Sequence, residues 1–433
     1  MRGGALWALR AAAALIAAAG LGHTLWNGVV DPGTALVFGA LIAFGDLVRR
    51  APRAGAGSTP DAEDPGRRPE DRRPAPLGTA GALAYALLGH HAGQPAHHGV
   101  LQTVAVVLAA ALVGIVPQVA RGHGPAVDLL ARRVLTVAFA AVCFRPLHDA
   151  GRLERWLGQG PSLVLFLLFL LALTALCDAV LAAARDACRT GWPYGPLLRD
   201  ELRARLGVGA ATCATAVVMA LGVAVAGPWT LPVSGVPLLL TQLSFHRIAA
   251  VRTTYRQTIT SLARATEIAG YTPPGHALRV AALSRAVGRE LGMTERELTV
   301  LEYAALMHDI GQLSLVDPVP DGATAELPAA LARRIAGLGG EVARQTGVPQ
   351  EVAVIVERQA DPYREQPVAA RIVRAVNAYD DLAGGGRHPA GSLAALERLR
   401  LGTGHEFQPE VVECLARVLA RGGRAGVVPV HQG

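Results

Sequence analysis

The residues of this chain best suited to chemistry are two histidines and an aspartate in its C-terminal half. His308 and Asp309 are adjacent, and they follow a segment in which Leu298, Leu301 and Ala305 recur at three- and four-residue steps. This spacing predicts a helix with one apolar stripe, and His308 continues the stripe. Thr294 and Glu297 have capping-box spacing, so the helix is expected to begin after Thr294. The His308 imidazole is therefore predicted to point into a core.

A second apolar stripe begins at His276 and continues through Val280, Leu283 and Val287. It aims another imidazole into a helical core. Two inward imidazoles and a carboxylate suit Zn, Fe, Mn or a similar ion, which would polarise a phosphoryl oxygen and lower the pKa of bound water. The same spacing also fits a histidine pair that is satisfied within a core, so both interpretations stay open on spacing alone.

Four segments around these residues carry a wider pattern. They are Thr272–Val280 (TPPGHALRV), Ala304–Gln312 (AALMHDIGQ), Ala370–Leu382 (ARIVRAVNAYDDL) and Gly402–Glu410 (GTGHEFQPE). In order and spacing they resemble the HD superfamily of metal-dependent phosphohydrolases, and most closely its HD-GYP branch. The similarity covers about residues 258–420, and the last segment resembles the family's closing helix.

The resemblance implies an all-α bundle that binds divalent metal ions such as Mn, Fe, Zn or Mg. In the HD-GYP branch it also implies hydrolysis of cyclic di-GMP. Carried over by motif, the metal ligands are His276, His308 and Asp309, with Asn377 at the position of a fourth ligand. Asp309 is the candidate catalytic residue, and a phosphoester or cyclic dinucleotide is the candidate ligand.

Several positions depart from the family pattern. Asn377 stands where the family has an aspartate, Gln312 stands where a lysine usually follows the HD motif, and no histidine occurs between His308 and His388. Loss of an anionic ligand weakens the attraction for a divalent ion. We therefore expect one metal ion at most, or none, and little cyclic di-GMP hydrolysis. Asp380, three residues after Asn377, and Asp381 are candidate substitute ligands.

The composition of the whole chain indicates a membrane protein, so we expect the rest of the chain to anchor this domain in a membrane. Of 433 residues, 51% are hydrophobic and 17% charged, well below the charged share of ordinary soluble domains. All basic residues are arginine, which is typical of a high-GC genome, and the net charge of +7 fits arginine-rich cytoplasmic loops better than nucleic-acid binding. The five cysteines form no CxxC pair, so neither a disulfide framework nor a zinc site is expected.

Long apolar runs fill the first 250 residues. Eight of them approach the length needed to cross about 30 Å of hydrocarbon: 5–22, 33–48, 77–92, 100–119, 126–147, 161–184, 207–227 and 230–246. The third is the weakest. Arginines alternate with these spans, which predicts a multi-pass protein of the bacterial inner membrane with both termini in the cytoplasm. Asp46 and Asp178 lie near span ends, where snorkelling would explain them, and paired charges inside the spans are not expected.

We predict four regions: a transmembrane region at 1–247 that includes a disordered loop at 49–76, a stalk helix at 248–269, an HD domain at 270–420 and a tail at 421–433. The stalk has apolar residues at three- and four-residue steps. It fits either a connector that packs on the next domain or a helix that forms a homodimer.

Four more histidines lie between the third and fourth spans, on the predicted exterior side. They are His90, His91, His97 and His98. Their concentration is consistent with sensing of a metal or of pH, and also with a polar loop at the membrane interface.

Two functions remain open on the sequence. The first is a membrane-anchored signalling protein with a phosphohydrolase-like HD domain in the cytosol. The second is a catalytically silent HD domain that binds partners under a membrane sensor. A transporter with a regulatory domain is less favoured, because no repeats are evident.

Overall fold

The structure is a computed structural model, and it describes most of the chain. The described residues are 2–49, 75–120, 127–158, 160–190, 194–315, 319, 324, 327–384 and 389–422. Within them the fold is helical almost throughout, which confirms the all-α class. The chain divides into two compact units, Met1–Ala249 and Ala250–Gly433. The predictions of a disordered loop at 49–76 and of a tail at 421–433 concern residues mostly outside the described ranges.

The first unit is a bundle of helices. Its described elements are α1 (Arg2–Asn27), α2 (Pro32–Arg49), α3 (Pro76–Ala86), β1 (His90–His91), β2 (Gln94–Pro95), α4 (Val100–Val119), α5 (Val127–Asp149), α6 (Arg152–Leu157), α7 (Pro161–Thr190), α8 (Tyr194–Ala226) and the first part of α9 (Thr230–Ile268). The two short strands pair antiparallel in one hairpin.

Each of the eight predicted spans overlaps a helix, although the third, 77–92, runs past the end of α3 into β1. The helices differ in their ability to cross a membrane alone. Within the described residues, four are long and apolar enough to do so, over Leu6–Asn27, Val100–Pro117, Pro161–Cys188 and Tyr194–Ala226. Pro32–Val48 is a shorter apolar helix. These helices carry large apolar side chains that face outward, including Leu15, Leu165 and Phe169, each at least 67% exposed. Such an exposed apolar surface suits contact with lipid.

The weak third span is a short internal helix. α3 has 11 residues, of which ten are buried. At about 1.5 Å per residue it is roughly 16 Å long, about half the thickness of a hydrocarbon core. Its main neighbours are α2 and α8. Glycines at the crossing, Gly45 and Gly78, allow α2 and α3 to approach closely, since a Cβ at Gly45 would lie 2.9 Å from the Gly78 Cα.

Charged pairs lie inside the first unit, contrary to the expectation from the sequence. Asp46 is 2% exposed and pairs with Arg133, so it does not snorkel. Asp178 pairs with both Arg132 and Arg205. The prediction failed because it placed each aspartate by its own span end, whereas the partners come from neighbouring helices. In an apolar surrounding, a charge persists only when it is paired in this way.

The second unit contains His276, His308 and Asp309 and is also helical. It comprises the end of α9, then α10 (His276–Glu290), α11 (Glu295–Met307), a 3₁₀ helix (Ile310–Ser314), α12 (Ala329–Gln345), α13 (Gln350–Arg358), α14 (Val368–Leu382), α15 (Pro389–Leu401) and α16 (Pro409–Gly422). The predicted capping box opens α11: the Thr294 backbone N–H donates to Glu297 Oε2 at 2.7 Å, and the Thr294 hydroxyl accepts from the Glu297 backbone N–H at 3.4 Å.

The end of α9 belongs to the core of this second unit. Ile259 and Ala263 are buried in it, and Tyr255 and Leu262 pack against it. Much of the apolar face predicted for the stalk helix therefore packs against the rest of the second unit. This packing favours the connector interpretation for this part of the helix. Val251 remains 67% exposed. Self-association through this helix stays a prediction.

Two glycines set the backbone around the motif histidines. Gly275 precedes α10 with φ of +74°, a conformation that a residue with a Cβ rarely adopts. Gly311 faces α12, where a Cβ would collide with the Ile335 carbonyl oxygen and lie 2.7 Å from the Gly339 nitrogen. α12 therefore rests directly on the backbone that follows His308 and Asp309.

Candidate metal centre

Three helices bring the motif residues together in the second unit. His276 is the first residue of α10, His308 and Asp309 follow the last residue of α11, and Asn377 lies on α14. Both histidines are 1% exposed, Asp309 4% and Asn377 6%. The prediction that both imidazoles point inward is confirmed. The ligand atoms of His276, His308 and Asp309 lie within 4.8 Å of one another, so these residues could hold a metal ion.

Hydrogen bonds at the far side of each ring fix the tautomers. His308 Nδ1 lies 2.8 Å from the Ala305 carbonyl oxygen, and His276 Nδ1 lies 2.8 Å from Asp380 Oδ2. Because a carbonyl or carboxylate oxygen accepts, each Nδ1 carries the proton and donates. We assign the lone pair of each ring to Nε2 on this basis. Both Nε2 atoms are therefore free to act as ligands, in the arrangement usual for metal-binding histidines.

The lone pairs converge on one point. The two Nε2 atoms are 3.3 Å apart. Asp309 Oδ2 lies 3.3 Å from His276 Nε2 and 3.1 Å from His308 Nε2. Within the described residues, Asp309 Oδ2 is buried and has no partner of hydrogen-bond geometry. Converging lone pairs repel unless a cation lies between them. The donor set therefore fits a metal ion.

The pKa values show the same preference for positive charge. Burial lowers the pKa of His276, but the adjacent Asp309 carboxylate and the hydrogen bond to Asp380 outweigh it and raise the pKa to about 10. Burial raises the pKa of Asp309, but the adjacent His308 and His276 rings hold it far below its usual range. A site that stabilises protonated histidine so strongly also stabilises a metal ion in place of the protons.

Asn377 presents its oxygen to the donor set. Asn377 Oδ1 lies 3.0 Å from His308 Nε2, and Asn377 Nδ2 donates to Thr324 Oγ1 at 2.9 Å. An amide oxygen is a ligand for hard cations, although it carries no charge. Asn377 thus stands at the position that the resemblance gives to a fourth ligand.

Asp380 has a different place. Its carboxylate accepts from His276 Nδ1 and from Arg279, whose Nη2 lies 2.8 Å from Asp380 Oδ2. It is on the far side of the His276 ring, so it orients that ligand and does not replace the missing carboxylate. The sequence suggested that Asp380 could replace the missing carboxylate because Asp380 shares a helix face with Asn377.

Residues 275–382 match the HD domain family.

No curated protein and no solved structure matches the chain. The HD match covers the segment that contains His276, His308, Asp309 and Asn377, and it supports a metal-dependent phosphohydrolase-like module. HD domains typically bind divalent metal ions, in agreement with the convergent lone pairs.

Two residues around the HD site, Gln359 and Thr324, gave no signal in the sequence. Gln359 Nε2 donates to the His308 carbonyl oxygen at 2.7 Å and so holds the backbone of the motif. Gln312 is fully buried, and within the described residues its amide has no hydrogen-bond partner. Thr324 lies outside the helices, so no helical periodicity marks it as inward-facing.

The four histidines singled out in the first unit, His90, His91, His97 and His98, do not gather into a metal site. His90 lies 3.2 Å from Glu154, His91 Nδ1 lies 3.0 Å from Thr34 Oγ1, and His98 is buried with its ring stacked on Tyr85. His97 is exposed. Across the described ranges, His276, His308 and Asp309 form the only histidine, cysteine or carboxylate group with metal-binding spacing.

Thr324 is expected to position Asn377. Its hydroxyl accepts from the Asn377 amide nitrogen and lies 3.4 Å from Asp309 Oδ1. Thr324→Val removes this acceptor with little change in shape, so the Asn377 amide can turn its nitrogen toward the site. We expect metal affinity to fall about 10-fold, as for other residues that orient ligands. Thr324→Ser, the matched control, should bind as the unmodified protein does in competition with a chromophoric chelator. Equal affinity for the valine variant would contradict the role.

Proposed function

We propose that this protein is a membrane-anchored bacterial signalling protein whose HD domain binds one divalent metal ion and hydrolyses a phosphoester. The observation that carries the proposal is the convergence of two imidazole lone pairs and the Asp309 carboxylate in a buried site. Mn, Fe, Zn and Mg are the candidate ions.

The chain's own residues supply binding and orientation. His276, His308 and Asp309 would hold the ion, and the Asn377 oxygen would complete the set. A bound divalent ion would polarise a phosphoryl oxygen and lower the pKa of bound water. The Asp380 carboxylate keeps the His276 proton on Nδ1, and the Ala305 carbonyl does the same for His308. Because both imidazoles are buried, bulk water does not compete for their ligand atoms.

A silent HD domain that binds partners is the second candidate, favoured by the neutral amide at Asn377. One experiment separates the two functions. Full-length protein in detergent would be analysed for metal and assayed with bis(p-nitrophenyl) phosphate, p-nitrophenyl phosphate and cyclic di-GMP, beside His308→Ala. We expect slow metal-dependent hydrolysis of a simple phosphoester, lost in His308→Ala, and little turnover of cyclic di-GMP. Bound metal without any turnover would support the regulatory module.

The residues at the two ends of the first unit support one orientation in the membrane. Three exposed tryptophans lie at one end, Trp26 at the close of α1, Trp156 on α6 and Trp229 before α9, and a fourth, Trp7 on α1, lies at the other end. The arginine pairs, such as Arg10 with Asp128, lie at the other end. Tryptophan favours membrane interfaces and arginine favours the cytoplasmic side. We propose that the arginine end faces the cytoplasm, together with both termini and the HD domain.

Reporter fusions test this orientation. Alkaline phosphatase, which is active only in the periplasm, should be inactive when fused after Pro76 or after Gly422. A fusion after Gly158, at the tryptophan end, should be active and serves as the matched control. Activity after Gly422 would overturn the cytoplasmic placement of the HD domain.

A further inference from the structure

A half-open cavity lies between α1, α5 and α7 at the arginine end of the first unit, remote in sequence from the HD motif. Its volume is about 330 Å³ when the part open to solvent is included. Its lining combines two chemistries that seldom share one cavity: guanidinium groups and leucine side chains. Neither the HD family nor the metal centre accounts for it.

The charged part of the lining is basic. Arg10, Arg132 and Arg185 line the cavity with one carboxylate, Asp128, while Arg132 also pairs with Asp178 and Arg185 with Asp186, both outside the lining. Arg10 donates from Nε to Asp128 at 2.6 Å, and Arg132 Nε lies 2.9 Å from Asp178. Within the described residues, neither arginine makes a hydrogen bond from its two Nη groups. Those donors suit a phosphate, which guanidinium groups bind through paired hydrogen bonds.

The apolar part of the lining selects among phosphate compounds. Leu6 and Leu9 of α1 and Leu181 of α7 face the same cavity. Inorganic phosphate or a nucleotide gains nothing from leucine contacts, whereas a phospholipid places its phosphate on the arginines and its glycerol and acyl chains along the leucines. The neighbouring Trp7 on α1 is 73% exposed, as expected for a helix that faces lipid.

We propose that this cavity binds the headgroup of an anionic phospholipid from the adjoining leaflet. The proposal rests on the insertion of the first unit into a membrane. Basic pockets between spanning helices are suited to such headgroups, and each arginine near a membrane surface contributes about 1 kcal/mol to binding anionic lipid. A lipid held there would join α1 to α5 and α7 through its phosphate.

The test uses full-length protein purified in a zwitterionic detergent. Phosphatidylglycerol, phosphatidylcholine and inorganic phosphate are titrated separately, and bound molecules are counted by native mass spectrometry. We expect phosphatidylglycerol to bind at least about 10-fold more tightly than phosphatidylcholine, and free phosphate not to compete. Arg10→Gln with Arg132→Gln should weaken phosphatidylglycerol binding about 30-fold. Arg152→Gln with Arg155→Gln, the same change of charge on exposed α6, should leave it unaltered.

A second variant guards against misfolding of the arginine variant. Ala131 lines the cavity, so Ala131→Phe fills it and leaves every charge in place; it should also abolish selective binding. Equal affinity for the two lipids, or competition by free phosphate at the same concentration, would overturn the proposal. So would unchanged lipid binding in Ala131→Phe. Recovery of the protein from the soluble fraction would instead contradict its membrane anchoring.

Discussion

His308→Ala is expected to abolish metal binding by the full-length protein, whereas Asn377→Asp is expected to strengthen it. The unmodified protein should carry at most one equivalent of divalent metal per chain. His308→Ala removes one of two imidazole lone pairs that meet Asp309 Oδ2, and the remaining two ligands cannot hold an ion against chelation.

The gain in Asn377→Asp has an electrostatic cause. The Asn377 oxygen already lies 3.0 Å from His308 Nε2, so an aspartate of the same shape would place a charge beside the ion without moving the backbone. We expect affinity to rise roughly 10- to 100-fold, the size of effect seen even for groups behind the ligands. Elemental analysis and chelator competition on the unmodified protein and the two variants measure the order of their metal affinities directly. Two or more tightly bound ions in the unmodified protein would show that other residues complete a larger centre.

Ile259→Asp is expected to destabilise the second unit by about 3 kcal/mol or more. Ile259 is 2% exposed in the core that α9 shares with α10 to α16, and a carboxylate there has no partner to offset its desolvation. Pulse proteolysis across a urea series, followed with an antibody to the C-terminus, reports the unfolding of this unit. A variant as stable as the unmodified protein would show that α9 is not part of the domain.

Val251→Asp is the matched control on the same helix. Val251 is 67% exposed, so the free energy of unfolding should change by no more than about 0.5 kcal/mol. This variant also tests the predicted homodimer, because Val251 and the half-exposed Ile248 are the part of the seam that the domain leaves uncovered. A dimer that dissociates in Val251→Asp would support association through α9, and an unchanged mass by light scattering would contradict it.

The inward histidines could be predicted because the signal is local. Helical periodicity in a single segment decides which way His276 and His308 point, and the capping box at Thr294 fixes where α11 begins. The family motif then relates segments that are far apart in the chain, so it placed Asn377 near the same site.

The partners of these residues could not be predicted in the same way. Thr324 reaches Asn377 across 53 residues, and Arg133 reaches Asp46 across 87. Such pairs depend on how helices pack, and periodicity within one helix carries no information about which neighbour it meets. The short α3 was misjudged for a related reason: its apolar residues are buried by protein, and composition alone does not distinguish that surrounding from lipid.

The contact between Gly311 and α12 distinguishes two kinds of substitution in this domain. Any side chain at Gly311 meets the backbone of α12, so a substitution there must displace a whole helix. Asn377 and Gln312 differ from the family pattern at side-chain positions, where an exchange leaves the backbone in place. A lineage can therefore lose or retune the chemistry of this domain by single mutations while its architecture persists, and a domain kept for its shape would still carry the glycine.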